Sequence, residues 1–383
     1  MLLEDQAIAG LLRGHTELEE TGRGLRPHRL RKADRSTPIA APQLQLAESQ
    51  TAGVRIVART TASNIALDVH STWVDYFGAP QARGRVDLVI DGHLARSVRL
   101  AEGDVLGIDL VDTGPSIRTD GGDFRVVFGN LPRHAKTIEI WLPHGEAIEL
   151  LGLSSDEPLH PVPVTTPRWV HGGSSISQGT AATSPTATWP ATAARLAGVE
   201  LHNLGFGGSM LLQESIARTV AAAPAEVVSV KVGINLVNDG RMRLDEFERA
   251  THAFLDIVRG GHPDVPLLLV SPILAPVHED TPGPSSAVRT ETGIAFVADG
   301  DARDDGALTL RRVRTALGRV VTDRRDERLT SVDGTTLYGA ADAEWMPLPD
   351  GLHPDTATHR RIGERFARHL RDACGNLHGG WSG

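Results

Sequence analysis

A chain of 383 residues, 40% of them apolar, has material for about two domains with proper cores. Its 48 acidic against 39 basic residues leave a net charge of -9 and aromatics make up only 4%, so no basic, aromatic-studded surface for nucleic acid or anionic membrane is present. The single cysteine, Cys374, excludes an intrachain disulfide and a cysteine-based zinc site and suits a reducing cytoplasm.

The N-terminal stretch MLLEDQAIAGLLRGH places Glu4 and Asp5 where a secretory signal carries positive charge. The longest apolar run, VPLLLVSPILAPV, is broken by proline and falls short of the roughly 20 residues of a spanning helix. A cytoplasmic protein with no membrane partner is expected. Residues 1–50, with RGLRPHRLRKAD in their middle, read as a polar leader packing on a β domain.

From 51 to 165 the pattern is strand-like: GVRIVART, NIALDVH, RVDLVI, LARSVRL, FRVVFG and TIEIWL alternate or are rich in Val and Ile. The DG pair at 91–92 lies between two of these runs and signals a hairpin. Short strands with Gly, Pro and Asp punctuation predict an all-β sandwich or jelly roll. The segment SSDEPLHPVPVTTP, with four prolines, ends this region, and the grammar then changes.

Over 166–383 short apolar strands alternate with helical stretches near 189–198, 209–222 and 244–259, and Ile362, Phe366 and Leu370 recur at helical spacing near the end. The expected fold is a three-layer α/β/α domain with a parallel sheet. Residues 272–306, with Pro272, Pro276, Pro282 and Pro284, interrupt the rhythm as either a substrate-covering lid or a disordered insertion.

In such a sheet, ligands bind beyond the carboxyl ends of the strands. WVHGGSSISQG occupies that position and offers Ser174, Ser175 and Ser177, among which the segment itself does not choose. In PDGLHPDTATH, Asp350 and His353 stand three apart before the last helix, a spacing that lets the carboxylate fix one imidazole tautomer while the other nitrogen takes a proton from serine. The glycine-rich NLGFGGS at 203–209 and the asparagine of VGIN at 232–235 supply N–H groups for an oxyanion hole.

These blocks, in this order, resemble those of the SGNH/GDSL hydrolases. The resemblance aligns Gly173-Ser174-Ser175 with the G-D-S block, and so assigns the nucleophile to Ser175 and puts Ser174 where aspartate is usual. Asn203, Gly205 and Gly208 match the N-x-G-x-x-G block, Gly233 and Asn235 match G-x-N-D with Leu236 for the aspartate, and Asp350, His353 and Pro354 match D-x-x-H-P in full. It implies a triad of Ser175, His353 and Asp350 and an oxyanion hole of Ser175, Gly208 and Asn235. The β-rich half before it resembles, in arrangement, two-domain carbohydrate esterases and an acyltransferase of tetracycline tailoring.

The expectation is serine-dependent acyl transfer through an acyl-enzyme on Ser175, from an ester or acyl-CoA donor to a hydroxyl of a small molecule such as a polyketide, with hydrolytic activity. An intracellular esterase or carbohydrate deacetylase, and a non-catalytic carbohydrate-binding protein, are the alternatives. No tightly bound cofactor and no metal are expected; acyl-CoA enters only as a co-substrate. His171 reads as a pocket-wall or hydrogen-bonded histidine, Trp345 and Met346 as either acyl-pocket lining or core, His278, Glu279 and Asp280 as a surface cluster, and DGDARDDG at 299–306 as a solvated turn.

Overall fold

The computed structural model describes residues 2–35, 42–79, 82–112, 114–291 and 293–378. The N-terminal half forms two stacked, largely antiparallel sheets. In the larger, Ile65–Tyr76 and Glu146–Ser155 are central, and Ile65, Leu67 and Val69 alternate inward with Ala66, Asp68 and His70 outward. In the smaller, Arg55–Thr60, Lys136–Trp141, Arg85–Ile90 and His93–Arg99 are neighbours in that order. Their facing side chains, Val86, Leu88, Ile138 and Ile140 against Leu67, Val69, Phe128 and Ile148, make one core. The DG pair closes the hairpin between Ile90 and His93, which are register partners.

Two differences from the sequence reading stand out. The strand Glu146–Ser155 is not marked by alternation, because most of its side chains are buried on both faces and a bulge between Leu150 and Gly152 shifts its register. The leader does more than pack on the sheets. Leu2–Leu3, Glu17–Glu20 and Leu25–His28 are strands of the larger sheet, and Leu12–Arg13 pairs with Arg55–Thr60 in the smaller.

The C-terminal half carries a five-stranded parallel sheet in the order Glu200–Gly205, Arg168–Gly173, Val227–Lys231, Leu267–Val270, Leu329–Val332. In sequence order this is 2-1-3-4-5, so the direction of winding reverses beside Arg168–Gly173. Helices Trp189–Ala197 and Thr356–His378 pack together, while Glu214–Ala222, Leu244–Gly261 and Leu310–Arg324 form the other layer. That arrangement follows from right-handed crossovers out of a reversing sheet. The helix expected near 209–222 begins only at Glu214. Within 272–306 the chain folds into a hairpin of Ser285–Thr290 with Gly293–Ala298, in place of a bare lid or disordered loop.

The two halves are joined along the edge strand Glu200–Gly205. The carbonyls of Leu201, Asn203 and Gly205, two residues apart, lie on its outer edge. Arg55 Nη1 donates to Leu201 O at 3.1 Å, and Arg29 Nη1 donates to Asn203 O at 3.3 Å and to Gly205 O at 2.5 Å. Arg55 also pairs with Glu200, and its guanidinium lies 4.5 Å from the Trp141 ring centroid. An edge strand exposes unpaired backbone groups, and here arginines of the N-terminal half satisfy them. The outer face of the smaller sheet adds Val89 and Trp141 to the core of the α/β half, which explains why Val89 is apolar although Val86 and Leu88 face the other way, into the sandwich.

Candidate active site

The strand Arg168–Gly173 delivers the chain into a single helical turn, Ser175–Gln178. The turn sits tightly on the next strand. A Cβ at Gly205 would lie 2.4 Å from Gln178 N, so only glycine permits this approach. Asn203 fixes it further, donating from Nδ2 to Ser177 O at 2.9 Å and accepting the Gly205 N–H at 2.9 Å.

Packing separates the three hydroxyls. Ser174 is 1% exposed and its Oγ meets no hydrogen-bond partner among the described residues; Ser177 is fully buried and bonded to His171 Nε2 at 2.8 Å. Ser175 alone is half-open, and its Oγ is 2.9 Å from His353 Nε2. His353 Nδ1–H donates to Asp350 Oδ2 at 2.7 Å. The other carboxylate oxygen, Oδ1, accepts the N–H groups of His353 at 2.7 Å and Leu352 at 2.9 Å. Partial burial alone would raise the Asp350 pKa; the bond from His353, its charge and the two N–H groups outweigh that and hold the carboxyl below its ordinary value.

The three expected oxyanion donors lie around the same carboxyl edge. A Cβ at Gly207 would stand 3.7 Å from Ser175 Cβ, and Gly208, with φ at +68°, is exposed beside it. Asn235 follows Gly233, whose φ of +122° turns the chain out of Val227–Lys231 and into the helix Ile234–Asp239. Its Oδ1 accepts the Met210 N–H at 3.1 Å, which leaves the amide NH2 as the free end. Among the described residues, the Ser175 N–H, the Gly208 N–H and Asn235 Nδ2 donate to no protein group.

Several residues at the site carried no sequence signal. Gln178 accepts the Gly207 N–H at 2.8 Å through Oε1 and donates through Nε2 to Gln50 and to His144 O. Phe296, on the inserted hairpin, meets the His353 ring edge-on at 5.7 Å between centroids and donates its N–H to Asp350 O at 3.1 Å. The same hairpin reaches the N-terminal half, where Arg289 Nη2 donates to Asp109 Oδ2 at 2.7 Å. Neither SAVRT nor GIAFVA alternates between apolar and polar residues, and prolines stand before both, so the hairpin left no period-2 trace.

His171 is a buried, hydrogen-bonded histidine: Nδ1 is 2.7 Å from Ser229 Oγ, which also accepts from Trp169 Nε1 at 2.7 Å. Burial, reinforced by Lys231, pushes its pKa down to about 3, so it stays neutral. Trp345 is neither pocket lining nor core, being 85% exposed at the end of Ala340–Trp345, while the Met346 carbonyl next to it accepts the buried Tyr338 hydroxyl at 2.7 Å. His278 is fully buried, with Nδ1 3.0 Å from Thr281 O, rather than part of a surface cluster. Leu236 packs in the core where relatives of the G-x-N-D pattern carry aspartate. No group of three or more His, Cys, Asp or Glu that could hold a metal occurs among the described residues, and no helix among them is long and apolar enough to cross a membrane.

Residues 167–278 match the GDSL-like lipase/acylhydrolase family. The salicylyl-acyltransferase SsfX3 from a tetracycline biosynthetic pathway is similar over 96% of this chain and 95% of its own, at 26% identity and a TM-score of 0.76. A family two carbohydrate esterase from Clostridium thermocellum shares the fold over 85% of this chain and 94% of its own, at 14% identity and a TM-score of 0.56. No curated protein matches the chain. The matched residues lie in the C-terminal half, a parallel α/β domain behind a β-sandwich.

Proposed function

We propose that this chain, which carries an SGNH/GDSL-type domain, transfers acyl groups through an acyl-enzyme on Ser175. The observation that carries the reading is the relay of 2.9 Å from Ser175 Oγ to His353 Nε2 and 2.7 Å from His353 Nδ1 to Asp350. As Oγ attacks the carbonyl carbon of an ester or thioester, His353 Nε2 takes the serine proton, and Asp350 holds Nδ1–H and stabilises the imidazolium. The carbonyl oxygen becomes an oxyanion and accepts from the Ser175 and Gly208 N–H groups and Asn235 Nδ2, which need no reorganisation because no acceptor among the described residues competes for them. The Nε2 proton then passes to the departing alcohol or thiol, the C–O or C–S bond breaks, and the acyl group remains on Oγ. An acceptor hydroxyl, deprotonated by the same nitrogen, attacks next and releases the serine.

The acceptor decides between transferase and esterase. An acyltransferase acting on a small-molecule hydroxyl is favoured by two observations. Phe296 covers one edge of His353, which is only 8% exposed, and so limits water at the deacylating base. The likeness to the salicylyl-acyltransferase, at 26% identity and a TM-score of 0.76, also exceeds that to the carbohydrate esterase, at 14% and 0.56. Donor and acceptor are taken to be small molecules, with acyl-CoA one such donor, and the single cysteine suits a cytoplasmic setting.

The test incubates acyl thioester and aryl ester donors with and without a panel of hydroxylated acceptors, for the wild type and Ser175→Ala. Acceptor ester forming faster than free acid, and lost in Ser175→Ala, is the expected result. Free acid alone would leave an esterase. Equal product from Ser175→Ala and the wild type would end the acyl-enzyme reading.

A further inference from the structure

We infer that Arg29, in the leader, is a positioning residue for the acyl-transfer site: it holds the turn after the edge strand so that the Gly208 N–H faces the oxyanion. The inference rests on the role proposed for Gly208 above.

Arg29 is fully buried, and its hydrogen bonds go to backbone carbonyls on either side of the boundary between the halves. Nε donates to Gln50 O at 2.5 Å, Nη2 donates to Ala47 O, and Nη1 donates to Asn203 O and Gly205 O. Its guanidinium also lies 4.9 Å from the centroid of the Phe206 ring. Burial pushes its pKa down to about 9, with Glu48 opposing, so it remains charged at neutral pH.

The residues it grips lead straight into Gly208. Phe206 N–H donates to Gly173 O at 2.8 Å, and Gly207 is held at both ends, by Gln178 Oε1 on its N–H and by Gln43 Nε2 on its carbonyl at 3.1 Å. Gln43 belongs to the leader helix Pro42–Ser49, whose Ala47 carbonyl is one of the Arg29 acceptors. Gly208 is thus the first residue of the turn whose N–H is left unclaimed among the described residues, and everything immediately before it is fixed. A preorganised donor is what oxyanion stabilisation requires, and its supporting contacts set how well it is aimed. Arg55 provides the contrast, since it caps the same edge at Leu201 O, at the far end of the strand from the turn.

The experiment compares Arg29→Lys, Gln43→Ala and Arg55→Lys with the wild type. Active-site titration first gives the fraction of competent sites; kcat and KM for a short aryl ester and the inhibition constant of a boronic acid, which forms a tetrahedral adduct, are then measured per site. Losing an oxyanion donor outright costs roughly 100- to 1,000-fold in kcat, and a misaimed one less. Arg29→Lys is expected to lose about 10-fold in kcat and a similar factor in boronate affinity, with KM within about 2-fold; Gln43→Ala is expected to lose about 3-fold in both. Arg55→Lys is expected to change neither. Wild-type kcat and boronate affinity in Arg29→Lys and Gln43→Ala would overturn the inference, as would a change confined to KM. Should Arg29→Lys fail to fold, Gln43→Ala decides, because its side chain is exposed. Absence of Ser175-dependent turnover in the wild type itself would instead sink the acyl-transfer reading, and the role of Arg29 with it.

Discussion

The parallel sheet has two crowded polar margins, and they are organised in opposite ways. Along the lateral edge, Arg29 and Arg55 are buried and surrounded by carbonyls and carboxylates: Leu201, Asn203 and Gly205 on the strand, Gln50 and Ala47 in the leader, and Glu200 beside them. At the carboxyl edge, Ser175 is half-open, Gly208 is exposed, and the three proposed oxyanion donors meet no protein acceptor among the described residues. Buried groups that are fully paired define a shape; accessible donors left unpaired around an oriented nucleophile define a reaction.

Substitutions at the two margins should therefore separate rate from stability. The largest effect is expected at Asp350→Asn, which keeps the shape but loses the charge that fixes the His353 tautomer. Its kcat/KM should fall by about 10,000-fold with the melting temperature little changed, read from steady-state kinetics beside thermal unfolding. Arg55→Met should do the reverse. It leaves Leu201 O and Gly53 O without the Arg55 donor and Glu200 with Arg13 alone, so unfolding in denaturant should show a loss of about 3 kcal/mol, while kcat/KM at low temperature stays within about 3-fold. If Arg55→Met instead removed activity without lowering stability, the division between the margins would not hold.

A smaller effect concerns pH. His171 and His359 are both fully buried, and burial pushes them down to about 3 and about 4, with nearby charge contributing and backbone bonds opposing. Their folded values lie below the unfolded value of about 6.5, so the unfolded chain binds more protons in between. Stability is fully present above about pH 6.5 and is lost as pH falls toward 4. Asp350, also held below its ordinary value, adds to the loss at the acid end. Melting temperatures from pH 7 to 4 should fall steadily; a flat profile would contradict the neutral, buried state of these imidazoles.

The two margins also differ in what the sequence discloses. At the carboxyl edge the proposed chemistry resides in side chains at fixed spacing, so Asp350, His353, Asn235 and the glycines after 203 could be singled out by their motifs, and Ser175 proposed among three serines by alignment with them. The alternating runs from 53 to 142 disclosed the sandwich for the same reason, since period-2 burial leaves a trace. The lateral edge leaves none. Arg29 sits in RGLRPHRLRKAD, indistinguishable from a solvated basic run, and its acceptors are carbonyls that every residue possesses. Phe296 was hidden similarly: the contact to His353 exists only once an isolated hairpin folds back across the domain.

The central claim is that Ser175 is the nucleophile, and a fluorophosphonate probe tests it most directly. The account predicts one label per chain, found by peptide mass on Ser175, abolished by Ser175→Ala and retained in Ser174→Ala. Labelling of Ser174 or Ser177, or none on the folded wild type, would contradict it.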